Sequence, residues 1–136
     1  MERLLVIDDN RRENGRITRW LSNAGYEVDC AVNGVYGLRL LEERRFNMVI
    51  TEVVMPDKDG LETISAIRKN GETLPIIAIS GGGKIGAAYY LEMARLFGAD
   101  RTLLKPVREG ELLPVVRELI GKERKGEGSS VGNIGA

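Results

Sequence analysis

The chain has 136 residues, 43% of them hydrophobic, which suffices for one domain with a continuous core. Twenty basic and twenty acidic side chains cancel, so no overall field attracts nucleic acid or an anionic membrane, and neither is expected as a partner. Histidine is absent, which excludes histidine-based metal sites, triads and phosphotransfer on this chain and leaves the chemistry to carboxylates, hydroxyls and lysines.

The first half of the chain alternates short apolar runs with segments of helical periodicity. Strands are predicted at 4–7, 26–32 and 48–51. Apolar residues at every third or fourth position predict a helix over 11–24, which Gly25 ends, and a second helix follows the turn at Asn33 and Gly34. Cys30 lies in the alternating second strand, which predicts a half-buried structural thiol.

The second half continues the alternation. A helix from Leu61 to about Gly71 and a helix over 85–97 flank a strand at 75–80. A strand at 101–104 precedes a fifth helix, and Pro114 is expected to delay the start of that helix. Residues 121–136 are rich in glycine and charge, so the sequence predicts a domain over 1–120 and a flexible tail over 121–136.

Five strands alternating with five helices predict an α/β fold, a doubly wound parallel sheet covered by helices on both faces, because parallel strands need crossover connections. The order of the strands along the sheet does not follow from this pattern. The apolar runs are strand-sized and no signal peptide is visible at the N-terminus, so a cytoplasmic location is expected.

Polar side chains end four of the predicted strands. Asp8 and Asp9 follow the first, Glu52 the third, Ser80 ends the fourth and Lys105 follows the fifth. Ligands of open α/β sheets bind outside these carboxyl ends, so the side chains are expected to converge. Clustered carboxylates repel one another unless a cation neutralises them, and their oxygens suit Mg²⁺. A hydroxyl and an ammonium opposite them would bind a phosphoryl group.

Four short motifs occur in order at the expected elements: Ile7-Asp8-Asp9-Asn10, Glu52-Val53-Val54-Met55-Pro56 with Asp59-Gly60, Ile79-Ser80, and Leu104-Lys105-Pro106. Each is weak alone, but together they resemble the receiver domains of two-component response regulators. The resemblance covers about nine-tenths of the chain and implies the flavodoxin-like three-layer fold of that family.

The resemblance also implies roles for individual residues. Asp8, Asp9 and the carboxylate at position 52 would hold Mg²⁺ together with the backbone carbonyl of Val54. Position 52 would accept a phosphoryl group from the phosphohistidine of a partner. Ser80 would rotate toward that group as the switch hydroxyl, and Lys105 would pair with its charge. These assignments belong to the family pattern and come to this chain through the matching motifs.

The sequence departs from the family at the acceptor, where Glu52 replaces aspartate. One extra methylene moves the carboxylate off the line of attack, and a misplacement of about 1 Å can lower a rate on the order of a hundredfold. Poor or absent phosphotransfer is therefore expected. The carboxylate would also reach farther toward Ser80 and Lys105, which predicts partial phosphomimicry with less charge than a phosphoryl group.

Two further departures concern the switch. Thr102 stands where many receivers carry an aromatic residue that moves with the switch hydroxyl. The sequence therefore does not predict whether Thr102 takes part in the switch. The stretch Gly81-Gly82-Gly83-Lys84 lengthens the spacing from Ser80 to Lys105, and an unusually large movement of this loop is expected. A phosphate-loop interpretation of the stretch fails, because that motif needs glycine at position 78 and serine or threonine at position 85.

Plainer interpretations remain for each site residue. Asp8 and Asp9 can form a solvated strand end that caps the next helix, and Ser80 can cap the fourth helix. Lys105 can be a surface lysine, and Glu52 can face water without mimicry.

Two functions follow from the sequence. The first is a phosphorelay switch whose partners are a histidine kinase or phosphotransfer protein and a downstream protein target, contacted through the fourth helix, fifth strand and fifth helix. The presence of every other motif residue favours a site built for phosphorylation and changed at one position. The second is a natural pseudo-receiver, a constitutive protein-interaction module. An enzymatic role is not expected, since a phosphatase would lack a general base. A homodimer is left open.

Overall fold

The computed structural model describes residues 1–55, 59–81 and 86–135, with side chains as far as residue 122. Five strands are present: β1 Arg3–Ile7, β2 Glu27–Ala31, β3 Met48–Glu52, β4 Ile76–Ser80 and β5 Arg101–Leu104. Five helices connect and follow them: α1 Arg11–Asn23, α2 Gly34–Glu43, α3 Gly60–Lys69, α4 Ala87–Phe97 and α5 Glu109–Gly135. The predicted alternation of strands and helices is confirmed.

All neighbouring strands pair in parallel, in the order β2-β1-β3-β4-β5. This is the strand order of flavodoxin-like doubly wound folds, in which the direction of winding reverses between β1 and β3. The predicted fold class is therefore correct. The reversal places the carboxyl ends of β1 and β3 beside the crevice in which such folds bind ligands.

The sheet separates two apolar cores, one on each face. One contains Leu4 and Val6 of β1 with Leu21 of α1 and Val116 of α5. The other contains Leu5 and Ile7 of β1 with helices α3 and α4. Alternate residues of one strand thus enter opposite cores, so β1 is buried on both faces and the position of its last residues is fixed.

Pro114 lies inside α5, which begins at Glu109, so the prediction of a delayed start is wrong. Proline removes one hydrogen bond from the first turns of the helix. The apolar residues Leu112, Val116 and Leu119 are nevertheless buried on one side of α5, and their burial outweighs that loss. The boundary predicted between a domain over 1–120 and a tail over 121–136 stays a prediction.

Cys30 is exposed, so the prediction of a half-buried thiol is also wrong. β2 is an edge strand, and the outward side of an edge strand is covered less than alternation suggests. The Sγ atom of Cys30 lies 2.9 Å from Oγ1 of Thr18 on α1.

Among the described residues, no helix has both the length and the apolar character needed to cross a membrane. Two predicted features lie partly outside the described residues. Of the stretch Gly81-Gly82-Gly83-Lys84 only Gly81 is described, and the motif that begins at Glu52 is described only as far as Met55.

Candidate functional site

The carboxyl ends of the central strands bring four of the predicted site residues to one edge of the sheet. Asp8 follows β1, Glu52 ends β3, Ser80 ends β4 and Lys105 follows β5. In the register of the sheet Glu52 pairs with Ile79, and Ser80 pairs with Leu104. The predicted convergence of these side chains is observed for Asp8, Glu52 and Lys105 through direct contacts.

Hydrogen bonds fix the loop that carries Asp8. The backbone N–H of Asp8 donates to the carbonyl of Ala31 (3.0 Å), and its Oδ1 accepts from the backbone N–H of Asn10 (2.9 Å). The buried amide of Asn14 donates to the carbonyls of Asp8 (3.1 Å) and Ala31 (3.2 Å). Asn10, rather than either aspartate, caps α1. Asp8 is 3% exposed, so the solvated-cap interpretation is wrong for Asp8.

Lys105 lies among three carboxylates and is not a surface lysine. Its Nζ is 2.5 Å from Oε2 of Glu52 and 3.8 Å from Oδ2 of Asp8, and it also forms an ion pair with Oε2 of Glu13. The side chain of Lys105 is 22% exposed. One ammonium therefore faces three carboxylates, and the group retains an excess of negative charge.

Glu13 is the site residue that the sequence analysis missed. Carboxylate oxygens of Asp8, Glu13 and Glu52 lie within 4.8 Å of one another, a spacing that could hold a metal ion. Glu13 stands in the first turn of α1, where Asn10 accepts a hydrogen bond from its backbone N–H (3.1 Å). The available signal was an acidic residue at the N-terminus of the helix that directly follows the acidic strand end.

Glu52 is buried, with 5% of its surface exposed, so the water-facing interpretation is wrong. Its Oε1 accepts from the backbone N–H of Val54 at 3.4 Å. Gly60 packs against its backbone so closely that a Cβ at position 60 would lie 2.2 Å from the carbonyl oxygen of Glu52. The N–H of Gly60 donates to the carbonyl of Val53 (2.7 Å), and the Asp59-Gly60 pair thereby holds the end of β3 in place.

Burial dominates the electrostatics of the acidic residues. It raises the pKa of Asp8 from 3.8 to about 7, with Lys105 and the hydrogen bond from Asn10 opposing it. Burial also raises the pKa of Glu52, again against the attraction of Lys105. Burial by itself would lower the pKa of Lys105, but its hydrogen bonds to Glu13 and Glu52 outweigh burial and raise that pKa. Burial thus favours the protonated forms of Asp8 and Glu52, against the attraction of Lys105.

The remaining predicted residues occupy different surroundings. Asp9 is exposed and is not part of the carboxylate cluster. Val54 is 40% exposed beside Glu52, and Thr102 pairs with Ala78 inside the sheet, two residues before the end of β4. The Oγ of Ser80 is fully buried, and the described residues provide no hydrogen-bond partner for it. Ser80 does not cap α4, whose N-cap is Gly86.

A small cleft adjoins the site and is lined by Glu13, Trp20 and Lys105, with Arg16 and Val107 among its other walls. The indole of Trp20 is therefore a neighbour of the carboxylate cluster. The sequence alone did not place it there.

The fold and the site together define a doubly wound α/β domain with an acidic pocket and an opposed lysine at its switch point. Residues 4–117 match the family described as the response regulator receiver domain. The chain belongs to this family, as the sequence predicted, and is a receiver domain of a two-component response regulator.

The relatives that the chain matches are named as regulators. The chain is 36% identical over 127 residues to the response regulator MprA of a Mycobacterium species, covering 93% of this chain and 54% of that protein. It is 29% identical over 118 residues to the transcriptional regulatory protein CusR of Escherichia coli, covering 87% of this chain and 51% of that protein. The chain thus spans about half the length of these relatives.

Solved structures show the same fold. A CheY-like receiver domain protein from Methanospirillum hungatei superposes with a TM-score of 0.85 at 25% identity, covering 93% of this chain and 98% of that one. TrrA from Thermotoga maritima, solved in complex with Mg²⁺ and BeF, superposes with a TM-score of 0.77 at 29% identity, covering 88% of this chain and 99% of that one.

Proposed function

We propose that this receiver domain is a phosphorelay module in which Glu52 occupies the position of the phosphoryl-accepting aspartate. In the aspartate form a partner histidine kinase or phosphotransfer protein would supply the phosphoryl group. The Glu52 form does not accept it and acts as a partial mimic of the phosphorylated state. The contact between Glu52 and Lys105 at 2.5 Å carries this proposal, because the lysine that would meet a phosphoryl group already meets a carboxylate.

Mg²⁺ fits the residues of the site. Asp8, Glu13 and Glu52 offer clustered carboxylate oxygens to a hard cation, and Lys105 alone does not neutralise them. The family pattern adds Asp9 and the backbone carbonyl of Val54 as ligands. A bound divalent ion would offset the charge on the phosphoryl oxygens. Among the protein's own groups, Lys105 would bind one of those oxygens. The hydroxyl of Ser80, which has no hydrogen-bond partner among the described residues, would donate to another.

The mimicry is partial for reasons of charge and shape. A carboxylate carries one negative charge and two oxygens, whereas a phosphoryl group carries about two charges and three oxygens. Glu52 satisfies Lys105 but leaves Ser80 Oγ without a partner among the described residues. We therefore assign Glu52 the lysine contact of the phosphorylated state without the hydroxyl contact. The signal would pass to a downstream protein through α4, β5 and α5.

The aspartate reversion tests the proposal. The Glu52→Asp protein is incubated with Mg²⁺ and acetyl phosphate, and the acyl phosphate is located by mass spectrometry. Label at position 52 supports the phosphorelay module, whereas a folded and unlabelled Glu52→Asp protein would support the constitutive pseudo-receiver instead. Glu62→Asp is the matched control, because it makes the same change at an exposed position of α3 and should leave the protein unlabelled.

A further inference from the structure

Lys105 forms ion pairs with residues of two different elements, α1 and β3. Its Nζ pairs with Glu52 at the end of β3 and with Glu13 in the first turn of α1. An ammonium has three donors, but each ion pair draws the same charge toward a different carboxylate. The position of the lysine therefore depends on both glutamates.

Glu13 differs from the other acidic residues of the site. Asp8 and Glu52 are nearly buried, whereas the side chain of Glu13 is 22% exposed. Asp8 lies 3.8 Å from Lys105, too far for a hydrogen bond, so Glu13 is the main competitor of Glu52 for the ammonium among the described residues. The N-cap Asn10 fixes the backbone of Glu13 and hence the base of its side chain.

We propose that Glu13 is a positioning residue, because its carboxylate competes with residue 52 for the ammonium of Lys105. In this protein Glu13 weakens the pairing of Lys105 with residue 52, and with a phosphoryl group carried there. The proposal deepens the phosphorelay function, since it names a residue that sets how strongly the lysine supports that site. Without the carboxylate of Glu13, the ammonium of Lys105 would pair more strongly with the group at position 52.

Double-mutant cycles on unfolding by urea test the sharing without any phosphorylation. The coupling between positions 13 and 105 is measured with Glu13→Gln and Lys105→Met, first with Glu52 present and then in Glu52→Gln. If Glu13 and Glu52 compete for Lys105, the coupling energy between positions 13 and 105 should be larger in the Glu52→Gln background. A coupling that is absent, or unchanged by Glu52→Gln, would overturn the proposal. The exposed pair Arg101 and Glu118 serves as control, and its coupling should be the same in both backgrounds.

A second measurement uses the aspartate form and does not require Lys105 to be replaced. The rate of labelling by acetyl phosphate is compared for Glu52→Asp with and without Glu13→Gln at saturating Mg²⁺, so that the loss of a carboxylate that could hold the ion does not limit the rate. If Glu13 competes for Lys105, labelling should be several-fold faster with Glu13→Gln. Glu13→Asp keeps the carboxylate and should keep the slower rate. An equal or slower rate with Glu13→Gln contradicts the proposal. If Glu52→Asp takes up no label at all, the phosphorelay function fails while the urea cycles still decide the role of Glu13.

Discussion

Oε2 of Glu52 lies 2.5 Å from Nζ of Lys105, and this contact joins the ends of two strands that are not neighbours in the sheet. β4 lies between β3 and β5, and its last residue is the buried Ser80. The ion pair therefore joins the ends of strands that lie on either side of β4. A change at position 52 would therefore alter the surroundings of Lys105, which is the first residue after β5.

Replacing Lys105 with methionine should destabilise the protein at alkaline pH. The change removes the only cation in contact with Glu13 and Glu52 in the described part of the chain. A buried polar group left without its partner costs about 1–3 kcal/mol, and a charged group costs more. Urea unfolding at pH 8 measures the loss, and acidification should reduce it as the carboxylates take up protons. Lys122→Met is the control, because its exposed pair with Glu118 should contribute little. Equal effects of both changes would contradict the assigned role of Lys105.

The stability of the metal-free protein should fall as pH rises from about 4 to about 7. The folded-state pKa of Asp8 is raised from 3.8 to about 7, so in this window the folded state binds a proton that the unfolded state has released. Stability is then greatest at the acidic end of the window and levels off above it. Glu52 adds a loss of the same sign, because its pKa is also raised. Thermal unfolding across this range, with EDTA present, measures the slope.

Asp8→Asn measures how much the carboxyl group of Asp8 contributes to this pH dependence of stability. The variant keeps the shape of the side chain but cannot titrate, so the slope should become shallower. Mg²⁺ should also flatten the slope of the unsubstituted protein, because a bound cation favours the ionised carboxylates. A slope unaffected by Asp8→Asn would show that another group causes it.

Much of this fold could be predicted from the sequence, because its three central strands are buried on both faces and appear as continuous apolar runs. The strand order could not, since it depends on which face each helix packs against. The Cys30 and Pro114 predictions failed for similar reasons. The exposure of Cys30 follows from the edge position of β2, and the start of α5 follows from the core that it buries.

The site was predicted in part. Asp8, Glu52, Ser80 and Lys105 stand at strand ends, and strand ends are readable from hydrophobic pattern. Glu13 projects from a helix, and its contact with Lys105 depends on how α1 packs across the sheet. No spacing rule reveals such a contact without knowledge of that packing.

Mg²⁺ should change the fluorescence of Trp20. The indole lines the same cleft as Glu13 and Lys105, so a cation bound by the neighbouring carboxylates would alter the field and the contacts around it. A saturable change on titration with MgCl₂, absent with KCl at equal ionic strength, is the expected result. Asp8→Asn should weaken the response. A response that survives Asp8→Asn undiminished would place the cation elsewhere.

Gly60→Ala should destabilise the protein and disturb the site. A Cβ at position 60 would lie 2.2 Å from the carbonyl oxygen of Glu52 and 2.6 Å from Cα of Val53, and backbone atoms cannot yield as a flexible side chain can. Overpacking of this kind costs about 1–3 kcal/mol. Labelling of the Glu52→Asp protein should fall as well, because the displaced end of β3 carries the acceptor.

Gly15→Ala is the matched comparison for Gly60→Ala. A Cβ at position 15 meets nothing within 4 Å, and Gly15 lies on the exposed side of α1. Alanine there should stabilise the protein by about 0.5–1 kcal/mol through its higher helix propensity. Urea midpoints of the two variants should thus move in opposite directions. A stable Gly60→Ala protein with unchanged labelling would contradict the close packing of Gly60 against the acceptor strand.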